Sequence, residues 1–175
     1  MRRLVRAYLI AALAIAAVSI FPTSAGAQEV PQKLQPPANE QLIMQLHGKG
    51  DQIYTCKADG GQFGWTLKAP EAQLFDKSGK LYGKHFAGPS WEASDGSRIV
   101  GKAAANAPSP DADSIPWLLV TVVSRSGDGA FARVTSIQRL NTKGGKAPAS
   151  GCDAAHAGQE VRAAYLADYL FFAPK

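Results

Sequence analysis

Between Lys84 and Ser97 the chain reads KHFAGPSWEASDGS, which gathers His85, Asp95 and the serines Ser90, Ser94 and Ser97 into one short stretch. These are the types that nucleophilic hydrolysis needs: a hydroxyl to attack, an imidazole to take its proton and a carboxylate to orient the imidazole. His85 and Asp95 are therefore the candidate catalytic pair, though a weak one. No Gly-x-Ser-x-Gly elbow accompanies them, and serine, aspartate and glycine are also the residues of tight turns. The same stretch carries Trp91, with Tyr82 just ahead of it. An aromatic face stacks on sugar rings or apolar ligands while nearby polar groups fix orientation. Trp91, His85 and Tyr82 are thus the candidate ligand contacts. Tyr54, Trp65, Phe86 and Trp117 extend the aromatic set. Of these, Trp117 opens an apolar run and Phe86 closes one, so both are expected in the core.

Other chemistries find less support. His47, His85 and His156 stand far apart, with no close histidine pair and no Cys-x-x-Cys, so neither a metal nor a cofactor is expected. Glu71, Asp76, Glu92 and Asp95 supply carboxylates for glycoside hydrolysis, but single carboxylates on exposed turns are the commoner case.

The two cysteines, Cys56 and Cys152, are an even count. In an exported protein that suggests one disulfide; two free buried thiols are the alternative. A bond requires the two Cα atoms within about 7 Å. It would tie a loop rich in glycine and alanine to a core strand.

Export is itself an expectation from the first residues. Arg2, Arg3 and Arg6 precede the apolar run Ala7 to Phe21, which Pro22 ends, and Ala25-Gly26-Ala27 offers small residues for cleavage. Residues 1–27 thus read as a secretory signal peptide, cut before Gln28. The run is short of the roughly 20 apolar residues that a spanning helix needs, and no cysteine follows it to carry a lipid. Without the leader, sixteen basic and fourteen acidic residues remain, a net charge of +2 against +5 for the full chain. The lysines are scattered singly, without the basic stripe of a nucleic-acid binder, so no nucleic-acid partner is expected. The remaining length suits one domain.

Residues 28–41 are polar and proline-rich and read as an extended arm. Residues 42–175 form the domain. Leu42 to His47 and Ile53 to Ala58 alternate as strands around Gly48-Lys49-Gly50-Asp51, a turn or bulge. Glu71 to Phe86 reads as a hairpin turning at Asp76 to Lys80. After Phe86 the chain turns, makes a short strand around Trp91 and turns again at Asp95-Gly96. Asn106 to Pro116 is a proline-rich excursion. Trp117 to Ser126 is the most β-branched run and reads as a central strand covered on both faces. Val161, Tyr165, Leu166, Tyr169 and Leu170 fit helical spacing, so the last segment is open between helix and strand. Phe131, Val134 and Ile137 carry the same ambiguity. Short β-branched runs between frequent turn signals indicate an all-β fold, a single-domain antiparallel β-sandwich or flattened β-barrel with long loops.

The segments QIYTCKA, APEAQLFD, GKHFAGPSWEASDGSRIVGK, APSPDADSIPWLL, SIQRLNTKGGKAPASGCDAA and EVRAAYLADYLFF, in this order, resemble the exported family known as domain of unknown function 3455. The resemblance runs from Leu42 to Phe172. It implies a secreted or periplasmic, mostly β domain of bacteria and fungi, and turns the last segment toward strands. It brings no established activity. Some members carry a malate dehydrogenase label, but no strand here leads into the Gly-x-Gly-x-x-Gly turn and helix of dinucleotide binding.

The expected function is a non-enzymatic envelope or extracellular binding protein for a carbohydrate or small apolar ligand. The alternatives are a secreted hydrolase using the His85/Asp95 pair, and a purely structural surface protein. A hydrolase requires His85 in a pocket with a carboxylate or serine in reach. A binding protein requires Trp91 or Tyr82 exposed in a groove.

Overall fold

A computed structural model describes residues 29–175, so the expected leader over residues 1–27 lies outside the described residues. Eight antiparallel strands follow one another: β1 (Glu40–Asp59), β2 (Gln62–Phe75), β3 (Leu81–Phe86), β4 (Ser90–Ala93), β5 (Arg98–Ala107), β6 (Trp117–Ser126), β7 (Ser136–Gly144) and β8 (Glu160–Pro174). Each pairs with the next, and β8 returns to pair with β1, so the single sheet closes.

Strand alternation divides the residues between two faces. Leu46, Leu74, Trp91, Ile99, Val120, Ile137, Tyr169 and Phe171 fill the interior, with Phe131 and Val134 inserted from the turn ahead of β7. A second, smaller core lies outside the sheet. There Leu34, in a 3-10 turn (Gln32–Leu34), is fully buried with Ala107, Trp117 and Leu140. Gln138 donates to the Leu34 carbonyl at 2.6 Å and fastens this turn to β7.

Two sequence expectations are corrected, and two readings that the sequence leaves open are resolved. The last segment is strand, not helix: β8 pairs with β1 from Glu40 to Thr55 and with β7 from Ser136 to Gly144, and this ladder overrides its helical spacing. Gly48 to Asp51 is no turn but the middle of β1. Glycine stands at Gly50 because a Cβ there would lie 2.1 Å from the Glu71 carbonyl oxygen of the neighbouring strand. β6 is not covered on both faces. It pairs with β7 only over Leu118 to Thr121, and Val123, beyond that stretch, is 59% exposed. Phe131 and Val134 are neither helix nor strand; both are buried in consecutive turns closed by Ala132 N–H to Gly129 and Val134 N–H to Phe131.

The cysteines are bonded. Cys56 on β1 and Cys152 in the long loop before β8 join with Cα atoms 5.3 Å apart. Trp65 on β2 donates its indole N–H to the Ser150 carbonyl at 2.9 Å, a second tie on the same loop.

Candidate functional site

The segment that opened the sequence argument does fold as strand, turn, strand, turn. β3 ends at Phe86, β4 spans Ser90 to Ala93, and a turn at Gly96 leads into β5. Gly96 sits at φ 85°, a left-handed conformation that favours glycine.

His85 and Asp95 do not meet. His85 points inward and is 3% exposed. Its Nδ1 donates to the Ser90 carbonyl at 2.9 Å, and burial holds its pKa down to about 3. The ring lies against Trp91 on one side and meets the edge of Tyr169. Asp95 is exposed and fully engaged in its turn. One carboxylate oxygen accepts from the Ser97 N–H at 2.8 Å and the Ser97 hydroxyl at 2.6 Å; the other accepts from the Ala130 N–H at 2.7 Å. The Ser97 hydroxyl, foremost, and these N–H groups hold its carboxyl below the usual carboxylate range. The Ser97 hydroxyl also accepts from the Phe131 N–H, which leaves it engaged on both sides. Ser90 sits beneath Arg98, whose guanidinium donates to its hydroxyl at 3.0 Å, and Ser94 donates to the Tyr82 carbonyl at 2.9 Å.

The aromatic candidates are placed just as firmly. Trp91 is 2% exposed, in a core of rings. Tyr82 is half-buried against Phe131, ring centroids 6.3 Å apart. Trp117 is buried, Tyr54 is buried with its hydroxyl on the Gly145 carbonyl, and Phe86 is half-buried between Lys84 and Arg98. Of the histidines, His47 pairs with Asp168 and His156 with Asp153, each at 2.6 Å. Asp76 binds the backbone of its own turn, at Ser78 and Lys80. Among the described residues no three His, Cys, Asp or Glu side chains gather as a metal site.

A concavity lies elsewhere. An open groove of about 1080 Å³ crosses the outer face of the sheet over β8, β1, β2, β3 and β4. Strand register sets its central row: Leu166 opposite Lys49, Lys49 opposite Gln73, Gln73 opposite Lys84, and Lys84 opposite Glu92. Beside that row lie Phe75 and Leu81, which are cross-strand partners, and on the other side Phe86. Leu81 and Leu166 are each about half exposed, at 48% and 49%.

Each acid of the groove already has a cation against it, with Asp51 and Glu71 sharing one guanidinium. Arg162 donates to Asp51 at 3.0 Å and to Glu71 at 2.9 Å, and Lys84 pairs with Glu92 at 3.0 Å. Lys143, at one end, pairs with Asp111 at 3.3 Å. His85 borders the groove, but Trp91, Tyr82 and Asp95 do not. Lys49, Gln73, Phe75, Leu81 and Leu166 were missed at the sequence level. Each belongs to the outward half of an alternating strand, and only the register brings them together.

No helix among the described residues is long and apolar enough to cross a membrane, which says nothing of β-barrel membrane proteins. No curated protein and no solved structure matches the chain. A family profile matches residues 36–173, and with it most of the closed sheet: the chain belongs to the family described as protein of unknown function, DUF3455.

Proposed function

We propose that this is an exported, single-domain binding protein, a flattened β-barrel that takes a small, largely apolar ligand on its outer face. The observation that carries the reading is the groove: half-exposed Leu81 and Leu166 with Phe75 between the strands that bear them, in one concavity. Isolated exposed leucines are ordinary, but apolar side chains that converge in a concave site mark ligand or partner binding. A sugar is the weaker choice, because no tryptophan lines the groove to stack on it. Trp91 and Trp117 are buried, and Trp65 is tied to Ser150. The barrel is supported by the pairing of β8 back onto β1, which closes the sheet. Export is supported by the tripartite pattern of residues 1–27 and is compatible with the disulfide.

The test is an NMR titration of the purified protein with decan-1-ol. The expected result is saturable shifts of the Leu81 and Leu166 methyl groups, lost in the double substitution Leu81→Gln, Leu166→Gln. Shifts confined to other surfaces, or none at all, would overturn the reading.

A further inference from the structure

One length of the closed sheet has an open edge. β2 runs from Gln62 to Phe75, but β3 pairs with it only over Ala72 to Phe75. From Gln62 to Glu71, β1 holds one edge. Among the described residues no strand takes the other, and no loop backbone hydrogen-bonds to it. Such an edge offers unpaired N–H and C=O groups to a further strand, and folded proteins guard it with charge or proline. Here the guards, Lys68 and Pro70, stand at one end, and Phe63 to Leu67 contains neither. Phe63, Trp65 and Leu67 share one face by strand alternation. Phe63 and Leu67 are exposed, at 37% and 53%. Trp65 is half-buried, its indole on the Ser150 carbonyl. None of the three lines the groove.

We propose that this edge pairs with the same edge of a second copy, antiparallel about a two-fold axis at Trp65. In that register the edge is complementary to itself. Phe63 meets Leu67 of the second copy on both sides of the axis, Gly64 meets Thr66, and Trp65 meets its own counterpart. Cross-strand aromatic and aliphatic pairs of this kind stabilise a sheet. The charge of Lys68 falls opposite the uncharged Gln62 and is already on Glu160, so no like charges meet. The length also fits. The turn at Gly60-Gly61 of the second copy falls level with Ala69 and Pro70, just short of Ala72, where β3 begins its own pairing. A foreign strand would find the same backbone groups but not this set of partners. The contact is isologous, so it closes at a dimer.

The test is sedimentation equilibrium of the purified protein over a range of concentrations, which should show a monomer–dimer equilibrium. The double substitution Phe63→Lys, Leu67→Lys sets lysine against lysine twice across the axis. It should abolish the dimer while the circular dichroism spectrum stays that of the parent. Phe63→Lys, Leu67→Glu sets lysine against glutamate in the same register and should restore the dimer, which excludes misfolding as the cause of the loss. Gly64→Cys with Thr66→Cys should cross-link two copies on mild oxidation, while Thr66→Cys alone, which faces Gly64, should not. The Gly64 site has room for the added side chain, since a Cβ there would meet nothing within 4 Å. A dimer that survives the two lysines, or that the glutamate does not restore, is held by another surface, and overturns the proposal. A protein monomeric at its highest soluble concentration leaves the edge to a foreign strand, and overturns it as well.

Discussion

The imidazole of His85 lies nearly flat against the indole of Trp91, ring centroids 4.2 Å apart and planes inclined by 13°. Burial there keeps the ring neutral, against the Nδ1–H bond to the Ser90 carbonyl, which favours the protonated form. The folded protein holds its pKa near 3, while an unfolded chain protonates histidine near the ordinary 6.5. Stability from the neutral ring is therefore complete above about pH 6.5 and is lost as pH falls from there toward 3. The slope reaches up to about 1.4 kcal/mol per pH unit. Urea melts between pH 7 and 4.5 should show this slope and should flatten in His85→Phe. Equal slopes in the two proteins would mean that the ring titrates freely in the fold.

Cys152→Ser should cost roughly 2–5 kcal/mol, the usual consequence of losing a native disulfide that closes a long loop. The bond spans 96 residues of sequence. Hydrogen exchange should quicken first in the middle of Gly144 to Gln159, between the ties of Gly144 and Gly145 to Ser114, Ile115 and Tyr54 at one end and the ladder bonds of Cys56 with Gln159 and Gly158 at the other, where Trp65 to Ser150 remains. Unchanged exchange in that loop would show that those ties suffice without sulfur.

Gly96→Val should destabilise by about 1–3 kcal/mol, because a β-branched residue is forced to a positive φ. Space is not the obstacle, since a Cβ there would meet nothing within 4 Å. Asp95→Ala should act on the same turn by a different route, releasing the N–H groups of Ser97 and Ala130. A denaturant midpoint that does not move in Gly96→Val would show that the turn relaxes freely.

Leu34→Ala should cost about 2–5 kcal/mol, as for other large-to-small changes in a core. Its side chain, with Val30 and the Gln138 hydrogen bond to its carbonyl, holds residues 29–39 against β5, β6 and β7. Limited proteolysis should then cut ahead of Glu40. If the variant melts like the parent, the arm rests on the sheet without stabilising it.

How much of this was legible beforehand differs by element. The boundaries of β6 and the turns around Trp91 stood out because β-branched runs and Asp-Gly are local signals. Trp91 itself misled, since it sits between Pro89 and Asp95 in a polar stretch; in the four-residue strand β4 the alternate positions Trp91 and Ala93 face the core whatever their neighbours are. The helical spacing of Val161 to Leu170 was real but weaker than two flanking strands that need a partner. The groove was illegible for a related reason. Lys49, Gln73 and Lys84 are far apart in sequence, and what joins them is a register fixed by tertiary pairing. His85 and Asp95 show the converse: closeness along the chain placed one inside the sheet and the other outside it.

The closure of β8 onto β1 also sets when this protein can fold. Partners such as Gln41 and Ala173 are nearly the length of the domain apart. Loop-closure entropy must be met before such distant contacts return anything. β1, the longest strand, can pair with β2 early, but its other edge stays open until the final strand arrives. A nascent chain short of β8 thus lacks the seam that completes the structure. The fifteen residues of β8 act as the latch.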